Sequence, residues 1–470
     1  MSALADQLYP YREEFGVLTR MPETGRGADE ILSELREIAA RENRVWEGGQ
    51  CSGTMYSGDH QHYDLLNRVF ALYSHVNAIQ RDMCPSQTRF EAEVIAMTLD
   101  MLHGAAVTAA NPEHKACGVI TTGGSDSILS ALLAYRDRGR AEKGIEKPTV
   151  ILPDTAHPAF EKGCHLFGIK RIKAPTDAET TQVDLDFVAD HIDADTVALI
   201  GSAGNYPYGT IDPIEALSEL ALAHDVGLHV DGCLGGFILP WGQELGYDIP
   251  VFDFRLPGVT SISADTHKFG YGLKGTSVLC YRDKSIRRHQ YFASPAWKGG
   301  AYPSPGLAGS RSGGLTAAAW ASMVSLGREG YMKHAKAIFE TAFEMQAAVK
   351  SHPELNLMGK PTLCFSFRGR DFNVYHVNDA MKERGWRFNG QQSPPAIHMC
   401  VTRPQTQPGL AERFATDLEA AVAHARTHGN TKPKSGGVYG GGAAELDTEA
   451  EEQVRQYLYA AMDAVQEYAF

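Results

Sequence analysis

From residue 117 onward the chain alternates short apolar runs with helical stretches, and no other feature restricts its fold as much. Residues 118–121, 149–152, 197–201, 227–230, 261–264 and 277–281 read as strands. Helical patterns lie between several of them, notably over 127–138 and 213–224. Such alternation predicts an α/β fold whose mainly parallel sheet is covered by helices on both faces.

The flanking segments are read around that sheet. Residues 1–60 form an N-terminal extension, with Ile31, Leu32, Leu35 and Ile38 at helical spacing over 28–41 and a Gly-rich linker at 48–53. Residues 61–314 form the large domain, with further helices expected over 65–75 and 89–103 and a Gly/Pro/Ser-rich loop over 303–314. Residues 315–470 form a connector helix, beginning over 315–326, and a smaller C-terminal α/β domain. Its strands are expected over 364–368 and 398–401, and its helices over 373–384 and 409–427. A flexible Gly-rich stretch at 434–442 precedes a closing helix over 447–468.

Composition narrows the class of function. A net charge of -13 and a pI near 5.8 argue against nucleic acid as the main partner. No run approaches the roughly 20 apolar residues of a membrane span, and the early Tyr-Pro-Tyr-Arg-Glu-Glu is unlike a signal peptide. The eight cysteines are scattered, with no C-x-x-C pair, as expected of reduced thiols in a soluble cytoplasmic protein. His60 and His62 stand close together, but a zinc site takes three or four ligands. No matching second pair appears, so no metal is expected.

Four pieces carry chemistry, and each falls at the C-terminal end of an expected strand, where open α/β sheets bind ligands. Residues 261–276 (SISADTHKFGYGLKGT) deliver Lys268 from a strand end into a glycine-rich bend. A lysine so placed forms a Schiff base with an aldehyde cofactor, usually pyridoxal phosphate, or is a surface lysine in a polar loop. Gly123, Gly124 and Ser125 follow a strand and open a helix, as a phosphate cup or as an ordinary helix start. His157, held extended before Pro158, can stack on a cofactor ring or simply cap its loop. Asp231 ends an apolar strand, where its carboxylate needs a partner such as a protonated pyridine nitrogen, or caps the next turn. One cup, one flat ring, one acid and one lysine in order are more telling than any one of them.

Asp231, then Asp265-Thr266-His267-Lys268, with Thr122-Gly123-Gly124 upstream, resemble the group II decarboxylase-like branch of fold-type I pyridoxal-phosphate enzymes. Within that branch the chain is most similar to the sphingosine-1-phosphate lyases. The marks are residues 52–59 (SGTMYSGD), 70–77 (FALYSHVN), 89–93 (RFEAE), 154–158 (DTAHP), 229–237 (HVDGCLGGF), 265–276 (DTHKFGYGLKGT) and 309–311 (GSR). The resemblance runs from about residue 20 to the C-terminus. It implies Lys268 as the Schiff-base lysine, Asp231 as the ring-nitrogen partner and His157 as the stacking ring. It places Gly123, Gly124, Ser125 and His267 at the cofactor phosphate, with Ser310 reaching that phosphate from the second subunit of a homodimer. It implies that Tyr56, His75, Asn77, Tyr206 and Lys274 hold the substrate phosphate or assist the chemistry.

The implied reaction is retro-aldol cleavage of a phosphorylated sphingoid base to a long-chain aldehyde and phosphoethanolamine, with Lys268 or a residue near Tyr206 as the base. An amino-acid decarboxylase of the same fold is the alternative. It needs no second phosphate site, and that branch usually carries an apolar residue where Lys274 stands. A third reading, an idle scaffold of this fold, is opposed by the intact Lys268 and Asp231. The chain departs from the lyase pattern in three places. Gly-Gly-Ser-Asp replaces the commoner Gly-Gly-Thr-Glu, Gly272-Leu273 replaces Ala-Pro, and the membrane anchor of eukaryotic relatives is absent from this sequence.

Overall fold

The computed structural model describes residues 10–428, 431–435 and 448–466. The main sheet has seven strands: β1 Cys117–Thr121, β2 Thr149–Pro153, β3 Lys170–Ala174, β4 Thr196–Ser202, β5 Gly227–Asp231, β6 Ser261–Ala264 and β7 Ser277–Tyr281. They lie in the order β1-β7-β6-β5-β4-β2-β3. Strands β6, β5, β4, β2 and β3 pair in parallel, and β7 runs antiparallel to both β6 and β1. The six expected strands are all present. The seventh, β3, went unread because Lys-Arg-Ile-Lys-Ala interrupts its apolar character with charge. It is the edge strand beside β2, where exposed lysines discourage pairing with another chain.

Each central strand feeds two cores, because successive side chains point to opposite faces. Val150 and Leu152 join the cluster of Ile128 and Leu132 from the helix Gly124–Lys143. Ile151, between them, joins the cluster containing Phe254 and Phe339. Each such fully buried side chain is worth about 1.5–3 kcal/mol of hydrophobic transfer. Both faces are covered, which fixes the strand ends as the place for a site.

A hairpin of β8 (Phe292–Ser294) and β9 (Tyr302–Ser304) follows β7, its second strand occupying part of the expected loop. The connector is one helix, Gly313–Lys350, kinked at Gly327, whose φ of 56° breaks the helical path. A second sheet of β10 (Leu355–Leu357), β11 (Cys364–Gly369), β12 (Asn389–Gln391) and β13 (Ala396–Cys400) has the antiparallel order β10-β11-β13-β12. Helices Tyr375–Glu383 and Leu410–His428 accompany it. Thr448–Gln466 is helical, while residues 436–442 of the expected Gly-rich stretch and 447, 467 and 468 of the closing helix lie outside the described residues. Among the described residues no helix is long and apolar enough to cross a membrane.

The segment expected as a linker is instead stitched to the small sheet. Gln405 Nε2 donates to the carbonyls of Gly49 and Cys51, each at 2.8 Å. Ser52 N–H donates to Arg387 O and Gly53 N–H to Cys400 O, both at 2.9 Å. Further along, Thr402 Oγ1 donates to Met55 O at 2.9 Å, and Arg403 reaches Ser57 and Asp59, each at 3.0 Å. The glycines here allow contact rather than slack: a Cβ on Gly49 would lie 2.4 Å from Pro404 O.

The helix Ala28–Glu47 shows the expected periodicity, but its apolar face lacks a cover among the described residues. Ile31, Leu32 and Leu35 are 39%, 45% and 53% exposed.

Candidate active site

The C-terminal ends of β1, β2, β4, β5 and β6 share one edge of the sheet and lead to the cup, His157, Tyr206, Asp231 and Lys268 in turn. Two adjoining cavities open there and share His157, Cys233 and Lys268. One, of about 350 Å³, is walled by Gly123, Gly124, Ser125, Asp265 and His267. The other, of about 290 Å³, is walled by Tyr56, Tyr206, Asp231, Lys274, Arg387 and His398.

The first cavity has the form of an anion cup. No side chain caps the 20-residue helix Gly124–Lys143, so its first N–H groups face the opening with the positive end of the helix dipole. Gly123 takes φ 144°, and a Cβ on Gly124 would sit 2.6 Å from Asp265 Oδ2 and 2.9 Å from Cys233 Sγ. Only glycine fits there. His267 Nδ1 donates to Thr276 O at 2.6 Å, leaving Nε2 3.7 Å from Asp265 Oδ2.

Lys268 Nζ lies 3.0 Å from Asp265 Oδ2. Asp265 is 1% exposed, and neither of its oxygens has a hydrogen-bond donor of good geometry, so the lysine pairs it by charge. Burial disfavours the ammonium, but Asp265, with Tyr56, Cys233 and Asp231 behind it, outweighs that and raises the Lys268 pKa.

Asp231 is the mirror case. Burial raises its pKa, but His157, His229, Lys268 and the Cys233 N–H (3.0 Å from Oδ1) together bring it below the usual aspartate value. It is a buried anion facing a cavity. His157 Nδ1 accepts the Ala159 N–H at 3.1 Å, and burial lowers its pKa, so the neutral ring carries its proton on Nε2.

In the second cavity the Lys274 ammonium sits 4.6 Å from the centre of the Tyr56 ring and donates to His267 O at 3.2 Å. Its surface stays open to water, yet its packed surroundings and then Lys268 lower its pKa to about 8. The Tyr206 ring packs on His398, with centroids 4.4 Å apart.

The model for the pyridoxal-dependent decarboxylase conserved domain matches residues 12–368. A sphingosine-1-phosphate lyase of Arabidopsis thaliana is 40% identical over 89% of this chain and 76% of its own length. That of Dictyostelium discoideum is 39% identical over 91% of this chain and 79% of its own. The solved sphingosine-1-phosphate lyase of Burkholderia pseudomallei K96243 is 59% identical, with a TM-score of 0.91 over 97% of this chain and 99% of that one. The chain belongs to the sphingosine-1-phosphate lyase family. A Lactobacillus brevis glutamate decarboxylase, 19% identical with a TM-score of 0.73 over 89% of this chain and 98% of that one, shares the fold.

The family's cofactor class, pyridoxal phosphate, fits the residues present. The glycine cradle admits a phosphate, Lys268 and Asp231 face one space from neighbouring strand ends, and His157 walls it. Of the site residues expected in this lyase-family chain, His75, Asn77 and Ser310 line neither cavity. His75 is exposed, and Asn77 Nδ2 donates to Ser310 Oγ at 2.9 Å in a separate cluster. Sequence reasoning passed over several lining residues, Asp265, Arg387 and His398 among them. Asp265 stood inside a quoted motif, and its spacing of three from Lys268 was the available signal. Arg387, in the segment before β12, and His398, on β13, come more than 110 residues later, and no local pattern marks them.

Proposed function

We propose that this protein cleaves the C2–C3 bond of a phosphorylated sphingoid base, giving a long-chain aldehyde and phosphoethanolamine. It is a pyridoxal-phosphate-dependent carbon–carbon lyase. The observation that carries this reading is Lys274, a cation that joins Arg387 in the cavity already presenting Lys268 and Asp231. The cofactor phosphate has its own cup, so a further cationic position suits a phosphate on the substrate.

Pyridoxal phosphate, when bound, supplies an aldehyde for the substrate amine and a ring that withdraws electrons from the amine-bearing carbon. Gly123, Gly124, Ser125 and His267 hold its phosphate, His157 flanks the ring, and Asp231 keeps a proton on the ring nitrogen. Lys274, with Tyr56, holds the substrate phosphate. Lys268 or Tyr206 takes the proton of the C3 hydroxyl as the carbon–carbon bond breaks, and Lys268 returns a proton to C2. A homodimer completes the site: a second copy brings Ser310 to the cofactor phosphate, with His75 and Asn77 on the neighbouring segment. The exposed Ile31, Leu32 and Leu35 support such a partner. Light scattering should give twice the 51.2 kDa chain mass. A monomer with full cofactor affinity would refute the arrangement. The eight free thiols support a cytoplasmic setting.

The reading is tested by mass spectrometry of products from dihydrosphingosine 1-phosphate and, separately, from a panel of amino acids. Phosphoethanolamine and a fatty aldehyde are expected. Carbon dioxide and an amine, with the lipid untouched, would transfer the protein to the decarboxylases.

Lys274→Ala should raise KM for the phosphorylated base about tenfold or more, the loss of one charge-assisted contact. Only the protonated lysine attracts phosphate. Because the folded-state pKa is near 8, kcat/KM for the native enzyme should fall as pH rises through that value. Lys274→Arg should flatten this limb, since guanidinium stays charged. An equal loss from Lys274→Ala on an unphosphorylated amine would sink the phosphate assignment.

A further inference from the structure

Behind Asp231 the polar side chains form one buried chain that the proposed reaction leaves unused. Ser263 Oγ lies 3.3 Å from Asp231 Oδ1 and 3.3 Å from His229 Nε2. His229 Nδ1 lies 2.7 Å from Ser261 Oγ, which lies 2.6 Å from the Tyr135 hydroxyl. That hydroxyl lies 2.7 Å from Thr260 Oγ1, which accepts the Leu228 N–H at 2.9 Å and donates to Leu228 O at 3.0 Å. His229, Ser261 and Ser263 are shut off from solvent, and Tyr135 is nearly so.

Counting protons orients the chain. With the Thr260 hydroxyl proton placed on Leu228 O, 3.0 Å away, Tyr135 donates to Thr260. Ser261 then donates to Tyr135, and His229 Nδ1–H donates to Ser261. Burial lowers the His229 pKa to about 4. The ring is therefore neutral and its Nε2 bare. Two acceptors, Nε2 and Asp231 Oδ1, compete for the single proton of Ser263, whose oxygen also accepts the Cys233 thiol at 3.2 Å.

We propose that His229 is a positioning residue that draws the Ser263 proton away from Asp231 and so preserves the carboxylate's charge for a cationic ring nitrogen. With Ser263 turned toward Nε2, Asp231 Oδ1 keeps only the Cys233 N–H behind it. Without a bare Nε2, the Ser263 hydroxyl turns to Oδ1 and weakens the pull of Asp231 on a proton in front. The other titratable groups around the pair are His157, Lys268 and Cys233, with Asp265 beyond Cys233 and Tyr135 behind His229. Phe160 packs edge-on against His229, with centroids 5.7 Å apart. The inference rests on Asp231 as the ring-nitrogen partner.

The distal variant Tyr135→Phe carries the test, because it keeps the ring and removes one oxygen. Ser261 then donates to Nδ1, the His229 proton moves to Nε2, and Ser263 turns to Asp231. The readouts are cofactor Kd, the pH midpoint of the bound cofactor's absorption change, and the melting temperature of cofactor-free protein. Tyr135→Phe and His229→Leu should each weaken cofactor binding about tenfold and lower the midpoint by about one pH unit. Ser263→Ala should leave both near native values, and His229→Leu combined with Ser263→Ala should restore them. The relay is refuted if Tyr135→Phe melts as the native protein does and shifts neither readout, or if the double variant folds without recovery. Asp231→Asn separates the two claims. If it shifts both readouts while Tyr135→Phe shifts neither, only the relay fails. If Asp231→Asn shifts neither, the ring-nitrogen reading fails and the relay with it.

Discussion

Lys268→Ala is expected to lower turnover about 10³-fold or more and to abolish covalent retention of the cofactor, while cofactor still binds in the cup. The size follows from the two duties placed on one amine, nucleophile toward the cofactor aldehyde and proton carrier at C2. Borohydride reduction followed by peptide mass mapping should label Lys268 in the native protein and nothing in the variant. Surviving turnover would end the assignment. The Asp265 ion pair at 3.0 Å adds a pH dependence to loading. Only a neutral amine attacks an aldehyde, and this pair holds Lys268 as the cation. The rate of cofactor attachment should therefore rise with pH, and Asp265→Asn should shift that rise to lower pH.

Asp231→Ala should reduce kcat by about 10²–10³-fold, through loss of a charge partner in a water-poor site. Its pKa lies below the ordinary aspartate value, so the carboxylate is already ionised across the working range. Its contribution is present above that value and disappears only as pH falls through the lowered folded-state pKa. The native kcat profile should thus carry no acidic limb from Asp231 near neutral pH. An unchanged kcat in the variant would remove Asp231 from the mechanism.

The main sheet was legible because its strands are buried on both faces and stand out as apolar runs. β3 was not, since an edge strand keeps its charges wet and loses that contrast. The cup, His157, Asp231 and Lys268 were legible for a related reason: each is a polar interruption just after an apolar run. The segment at 48–53 misled. Glycines that signal slack in a sequence serve here for close approach to Pro404 and Leu410, and only the fold reveals those neighbours. Arg387 and His398 illustrate the same limit at longer range. Their part in the cavity depends on long-range contacts, such as the bridge of Arg387 to Cys51, which no local spacing encodes. His75, Asn77 and Ser310 go further still, since the reading that uses them needs a second copy of the chain.

The stitching of residues 49–59 has a mechanical consequence. Tyr56 precedes every strand of the main sheet in sequence, yet the Arg403 N–H donates to its carbonyl at 3.2 Å, and its neighbours Met55 and Ser57 are tied to Thr402 and Arg403. Its backbone is therefore tied to the segment that follows β13 while its ring packs edge-on against Phe269, and Lys274 stands in the loop that leads into β7. The 4.6 Å ring-to-ammonium contact between them joins these two segments across the cavity. Any displacement of β13 and the segment after it against the β6–β7 loop would part that contact and draw Tyr56 and His398 away from Lys268 together.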